Sequence, residues 1–273
     1  MPVIAISRQI ASYGDEIARE LAQQFGYTFF DRKMLEADLL ARGISEKNLH
    51  KYDEKKPGFL DSLARERDEY FDFLREAVFE RAKDGNCVFI GRGVHAILKD
   101  VSSCYAVRLV APEDVRVKRL MNEFHSTEKA ARALLQESDT NRRGYHRCFF
   151  NIETDDPVQY HMVLNTARIT PAQGAKIVQE GCAATVTESV AAEGVAVIRR
   201  LLEAQKIVNH ISFTLKIPVH FLEAVLSDDG IVLHGVADSA IAIDNALAAA
   251  RELAPDRKVD SAISIVHDYK TYP

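Results

Sequence analysis

An α/β fold built on a mostly parallel sheet is what this sequence predicts, and three observations predict it. Short apolar or β-branched runs alternate with helical patterns through the first two thirds of the chain. The chain opens on the sharpest of these units, in which the strand-like Val3-Ile4-Ala5-Ile6 runs through residues 7–14 straight into an amphipathic helix with Asp15 and Glu16 in its first turn. Near residue 185 the pattern changes, and a short α-β-β-α-β series follows, of a size that can fold independently.

Taken in order, Gly26 stops the first helix and Tyr27-Thr28-Phe29-Phe30 supplies a second strand. Asp31 is a suitable N-cap for the next helix. Residues 45–57 are highly charged and read as loops with a short helix. Residues 61–83 carry Leu63, Tyr70, Leu74, Ala77, Val78 and Ala82 along one helical face. Cys87-Val88-Phe89-Ile90 is a third strand ending in the permissive turn Gly91-Arg92-Gly93, and Tyr105 to Val110 is a fourth, stopped by Pro112. Helices are expected at 113–123, 126–137 and, shorter, 140–145, with Ser126 or Thr127 offering a capping oxygen. A fifth strand is expected at 160–164 and a helix at 171–182. The alanine- and valine-rich stretch 187–205 is helical and has no flexible linker beside it. It leads through His210 into strands at 219–226 and 231–233, a helix at 239–253 and a last strand at 259–266. The domains expected are therefore 1–186 and 187–273.

Composition narrows the function. The chain has 273 residues, 47% hydrophobic and 27% charged, the balance of an ordinary globular protein. A net charge of −5 gives no global field for nucleic acid or an anionic membrane, and no apolar run reaches bilayer length. The chain enters a strand at once, without a basic and apolar leader, so a cytoplasmic location is expected. Cys87, Cys104, Cys148 and Cys182 form no C-x-x-C pair, and the nine histidines show no metal-ligand spacing; buried thiols and no metal centre are expected.

In an open parallel sheet, ligands bind at the carboxyl ends of the strands. That rule selects the loop 7–14, Asp31, the Gly91-Arg92-Gly93 turn and the end of the fourth strand. The arginines point the same way. Arg116 and Arg119 sit three apart on one helix, and Arg142, Arg143 and Arg147 cluster after Asp139. Guanidinium groups grip phosphate oxygens through two donors at once, and converging positive charge is what phosphoryl transfer demands. Salt-bridged helix faces are the alternative reading of the same residues. The loop lacks the G-x-x-x-x-G-K-[S/T] pattern of a phosphate loop.

The stretch from Ile4 to Ala22, I-A-I-S-R-Q-I-A-S-Y-G-D-E-I-A-R-E-L-A, resembles the cytidylate kinase-like family. So do, in order and spacing, Gly26-Tyr27 with Phe30-Asp31-Arg32, then Phe89-Ile90-Gly91-Arg92-Gly93. Arg108 to Pro112 with Arg116 and Arg119 follow, and then Asp139, Arg142 and Tyr145 with Tyr160 to Thr166. The resemblance covers roughly residues 3–180. It implies a P-loop kinase-type sheet of about five strands flanked by helices, and ATP-dependent phosphoryl transfer to a nucleotide or similar small acceptor, with Mg²⁺ on the ATP phosphates. Carried over by position, Ser7, Arg8, Gln9, Ala11, Ser12, Tyr13, Gly14, Asp15 and Glu16 would wrap the donor phosphates. Asp31, Arg32, Gly91 and Arg92 would face the acceptor, and Arg116, Arg119, Arg142 and Arg143 would be catalytic phosphate clamps. Departures from the pattern accompany it: Gly14 stands where true cytidylate kinases have lysine, Glu16 near their Mg²⁺-binding hydroxyl, and Gly93 where they have aspartate. Arg8 is the cation the loop offers instead. The alternative implied is a non-catalytic nucleotide-binding regulator. The tail, with Asp229-Gly230-Ile231-Val232-Leu233-His234-Gly235, resembles a BON domain. In a chain whose tail is more acidic than basic, that implies a small-ligand sensor or a dimerisation module rather than a membrane contact.

Overall fold

The computed structural model describes residues 1–52, 65–227 and 229–266. Five parallel strands form the main sheet: β1 (Val3–Arg8), β2 (Thr28–Phe30), β3 (Cys87–Ile90), β4 (Cys104–Val110) and β5 (Met162–Asn165), in the order β2-β3-β1-β4-β5. The central strand β1 is buried on both faces, which is why Val3 to Ile6 is continuously apolar and not alternating. The strand order reverses direction at β1, so the crevice that receives ligands in such sheets opens at its carboxyl end.

Around the sheet lie α1 (Gly14–Phe25), α2 (Arg32–Ala41), α3 (Glu46–Lys51), α4 (Arg65–Ala82), α5 (Val94–Ile97), α6 (Glu113–Phe124), α7 (Glu128–Phe150), α8 (Pro171–Thr185) and α9 (Glu188–Asn209). One core cluster joins Ile4, Ile6, Val88, Val107 and Leu109 of the sheet to Ile17, Ala18 and Leu21 of α1 and to Ala175, Val178 and Cys182 of α8. Burying these side chains contributes roughly 1.5–3 kcal/mol for each large aliphatic residue. Asp31 caps α2, accepting a hydrogen bond from Met34 N (2.9 Å), and Thr127 caps α7, accepting from Ala130 N.

Several boundaries differ from the expectation. Residues 126–137 and 140–145 are not two helices but the single 23-residue α7. Asp139, Thr140 and Asn141 carry propensity penalties of only a few tenths of a kcal/mol each, and burial of Ala131, Leu135, Tyr145 and His146 on one face outweighs them. The fifth strand begins at Met162, because the Tyr160 N–H is taken by Pro157 O (3.1 Å), which closes the 3₁₀ turn before it. Of the helix expected at 61–83, residues 65–82 are observed; 61–64, like 53–57 of the charged stretch before it, lie outside the described residues.

The chain divides into two compact units, Met1–Val197 and Ile198–Pro273, and α9 runs through the division. In the second unit α9 passes through a π-helical turn (His210–Thr214) to β6 (Val219–Ser227), β7 (Gly230–Ala237), α10 (Ala240–Leu253) and β8 (Val259–Ile265). Its separate sheet has the order β6-β7-β8, antiparallel then parallel, over a core that includes Ile211, Leu222, Leu233, Ala246 and Ile263. No single helix among the described residues is long and apolar enough to cross a membrane.

Candidate phosphate-binding site

The loop between β1 and α1 is held in a shape its residues do not favour. Ala11 (φ 57°) and Tyr13 (φ 61°) both sit in the left-handed region, where an L-residue costs roughly 1–2 kcal/mol and glycine costs little. The clamps that hold it are visible. Gln9 N donates to Leu109 O (3.0 Å), and Ala111 N donates to Gln9 Oε1 (3.1 Å). The fully buried Ser12 places its Oγ 2.8 Å from Gln9 O and 3.1 Å from Leu109 O. Arg119 donates to Ala11 O (3.0 Å) and to Thr166 O (2.7 Å), while its guanidinium carbon lies 3.5 Å from the Tyr13 ring centroid. Strain maintained in this way belongs to functional loops.

Replacing Ala11 with glycine relieves that strain and adds about 0.4–1 kcal/mol of unfolded-state entropy. The expected result is unchanged stability or a gain of up to about 1 kcal/mol. A thermal melt checks it, and a fall of several degrees would contradict it.

The Tyr13 ring packs against the core cluster and under Arg119, and is not in the wall of the neighbouring cleft. Nothing from the Tyr13 side chain caps α1, whose first turn carries Asp15, half-buried, and Glu16, exposed. An uncapped helix start of this kind favours an anion.

The cleft beside the loop is lined by Arg8, Gln9, Arg108, Asp139, Arg142, Arg143, Thr154 and Asp155. Arg108 donates to Ser7 Oγ (2.8 Å) and to Asp155 (2.8 Å), and Arg143 lies 3.8 Å from Asp155. Arg142 donates to Ser138 Oγ (2.9 Å). Arg116 serves the wall from behind: it is buried, holds both oxygens of Asp139 (2.9 and 3.2 Å) and donates to Ala111 O (3.1 Å). Four arginines thus face two carboxylates, and Arg116 already compensates one of these. Arg108 Nε and Thr154 Oγ1 are buried without a hydrogen-bond partner among the described residues.

The acceptor-side residues are placed differently. Gly91, Arg92 and Gly93 form a left-handed turn (φ 85°, 53° and 66°). A Cβ on Gly93 would come within 2.2 Å of the Phe150 ring. Arg92 is completely buried: it pairs with Glu36, donates to Tyr70 Oη (2.7 Å) and Tyr52 O (3.3 Å), and stands among rings of Tyr52, Tyr70, Tyr145 and Phe149. Arg32 reaches the same Glu36 at 3.1 Å from a more exposed position. Asp31 spends one carboxylate oxygen on its cap.

Sequence reasoning passed over Arg108, Thr154 and Asp155 as site residues. The signal for Arg108 was present, since a charged residue within the buried run from Tyr105 to Leu109 must be paired. Residues 154 and 155 carried no such signal, because only the fold brings their loop to β4. The cysteines behave as expected where they are buried: Cys87, Cys104 and Cys182 are free, and burial pushes the Cys104 thiol up to about 12 and that of Cys182 up to about 11, which keeps both protonated at neutral pH. No group of three or more metal-ligating side chains is found among the described residues.

A five-stranded parallel sheet with such a loop at the end of its central strand defines a P-loop-kinase type of α/β protein. The chain belongs to the cytidylate kinase-like family, whose model matches residues 3–168. It is 30% identical over 175 residues to the cytidylate kinase of Pyrobaculum islandicum, covering 62% of this chain and 86% of that one. It is 29% identical over 175 residues to the cytidylate kinase of Pyrobaculum aerophilum, with the same coverage. Among solved structures, an uncharacterised protein of Eubacterium ventriosum matches with a TM-score of 0.55 at 19% identity, covering 67% of this chain and 98% of that one. The family match ends before the second unit begins.

Proposed function

We propose that this chain is an ATP-dependent kinase that transfers a phosphoryl group to a nucleotide or a similar small anionic acceptor. The observation that carries the reading is the loop over residues 9–14, clamped in left-handed geometry at Ala11 and Tyr13 beside a cleft lined by four arginines. Backbone N–H groups of such a loop and the start of α1 suit the donor phosphates. Arg142 and Arg143 clamp the phosphoryl groups, and Arg116 and Arg119 hold the cleft wall and the loop in position. Asp31, Arg32 and the Gly91-Arg92 turn shape the acceptor side. Mg²⁺ takes one or two carboxylates together with phosphate oxygens and does not need an all-protein cage; Asp15 or Glu16 in the first turn of α1 would offer such a carboxylate. When bound, ATP and its Mg²⁺ supply the phosphoryl group and neutralise its charge. The second unit is a BON-like module that senses a small ligand or pairs two copies of the chain.

An assay coupling ADP release to each nucleoside monophosphate in turn tests this reading. ADP release with at least one acceptor is expected, falling about 100-fold in Arg143→Ala, whose side chain is half exposed and dispensable to the core. Binding of ATP without ADP release for any acceptor would favour the non-catalytic regulator instead. That second reading draws on glycine in place of lysine at position 14. Failure to bind any nucleotide would overturn both.

A further inference from the structure

Set against G-x-x-x-x-G-K-[S/T], the loop places Arg8 at the first glycine, Tyr13 at the second and Gly14 at the lysine. The geometry makes two of these departures one. A Cβ added to Gly14 would lie 2.7 Å from Arg8 Cγ and 3.0 Å from Arg8 Cβ. The Arg8 Cβ is fixed by the backbone and its Cγ moves only with a change of χ1 rotamer, so a side chain at position 14 collides with the Arg8 stem as it stands, with Ile90 Cδ1 a third, more yielding neighbour at 3.1 Å. The Arg8 stem crosses the first residue of α1, and Arg8 also lines the cleft that holds Arg108, Arg142 and Arg143.

We propose that Arg8 and Gly14 are a transposed glycine–lysine pair, with Arg8 supplying from the end of β1 the positive charge that a P-loop lysine supplies from the first turn of the helix. The inference rests on the kinase reading above and names the residue that contacts the outer phosphates of the donor. Two further features of the cleft support a ligand there. Arg108 (5% exposed) and Thr154 (1% exposed) each keep a buried polar atom without a protein partner among the described residues, in the same wall as Arg8. A guanidinium also suits the role, being permanently charged and able to hold two phosphate oxygens.

Binding of AMP, ADP and ATP with Mg²⁺, measured by calorimetry on the full chain with a thermal melt of each variant, decides it. Arg8→Ala is expected to weaken ADP and ATP at least 10-fold and to leave AMP within a factor of two, since AMP lacks the outer phosphates. Arg8→Lys recovers part of the loss. Gly14→Lys alone lowers the melting temperature and gains no affinity, because Arg8 occupies its space. The double variant Arg8→Gly/Gly14→Lys restores melting temperature and ADP affinity to within a few-fold of the wild-type chain. Wild-type affinity for ATP in Arg8→Ala, or an equal loss for AMP, would overturn the transposition while leaving the kinase reading intact. Gly14→Lys accommodated with no thermal loss would overturn it as well. Absence of ADP and ATP binding by the wild-type chain would overturn the kinase reading itself, and this inference with it.

Discussion

Arg92→Met is expected to destabilise the first unit by about 3 kcal/mol or more, the cost of leaving a buried charge partner uncompensated. The guanidinium is completely buried, and its donors go to Glu36, Tyr70 Oη and Tyr52 O. Methionine fills part of the volume but satisfies none of these groups. Arg32, 3.1 Å from Glu36, softens the loss and holds it toward the lower end of the usual range. Melting should fall by roughly 10 °C. Glu36→Gln, which leaves the completely buried Arg92 guanidinium without its counter-charge, should lose at least as much. A melting temperature within two degrees of wild type for Arg92→Met would contradict the assignment of Arg92 as the strut of the acceptor side.

The second large effect is a loss of stability in acid that is traceable to His95. This residue on α5 is nine-tenths buried, with its ring 5.3 Å from that of His146 on α7 and 4.9 Å from that of Tyr160, and Arg108 of β4 nearby. Burial, then the charges of His146 and Arg108, pushes His95 down to about 3. Its Nε2 has no hydrogen-bond partner among the described residues. In the unfolded chain the imidazole titrates near 6.5. Between those two values the unfolded state binds the proton and the folded state does not, so stability falls as the pH is lowered. The slope is about 1.4 kcal/mol per pH unit, and the group contributes no slope above about pH 7. Denaturant midpoints for the wild-type chain and His95→Gln at pH 7.5, 6.5, 5.5 and 4.5 separate this from the general acid sensitivity of carboxylates. The variant should lose the extra slope; parallel curves would contradict the account.

What the sequence made legible was whatever depended on local pattern. The five strands, the cap at Asp31, a capping oxygen at Ser126 or Thr127, and the α-β-β-α-β series of the tail follow from periodicity and short-range side-chain chemistry, and they are observed, with Thr127 the residue that caps. The merger of two expected helices into α7 was not legible, because tertiary burial of Tyr145 and His146 decides it. Within the site, the loop 7–14 was identifiable by position, but its geometry was not. Glycine is the residue that announces a left-handed turn, and here the turn is made by Ala11 and Tyr13 under clamps from Arg119, Ser12 and Gln9. The arginines were visible as a class. Which of them line the cleft and which brace it is settled by partners far away in sequence: Arg116 is drawn to Asp139, Arg119 to Thr166, and Arg92 to Glu36. The sequence names charges, and the fold assigns them.

The central claim is that the loop between β1 and α1 still holds a phosphate chain despite its lost glycines and lysine. Calorimetric titration of the full chain with Mg²⁺-ATP tests this most directly. The account predicts saturable one-site binding with a dissociation constant at or below the order of 100 µM, the lower end of ordinary specific recognition. Heat no greater than dilution with ATP in the millimolar range would contradict it.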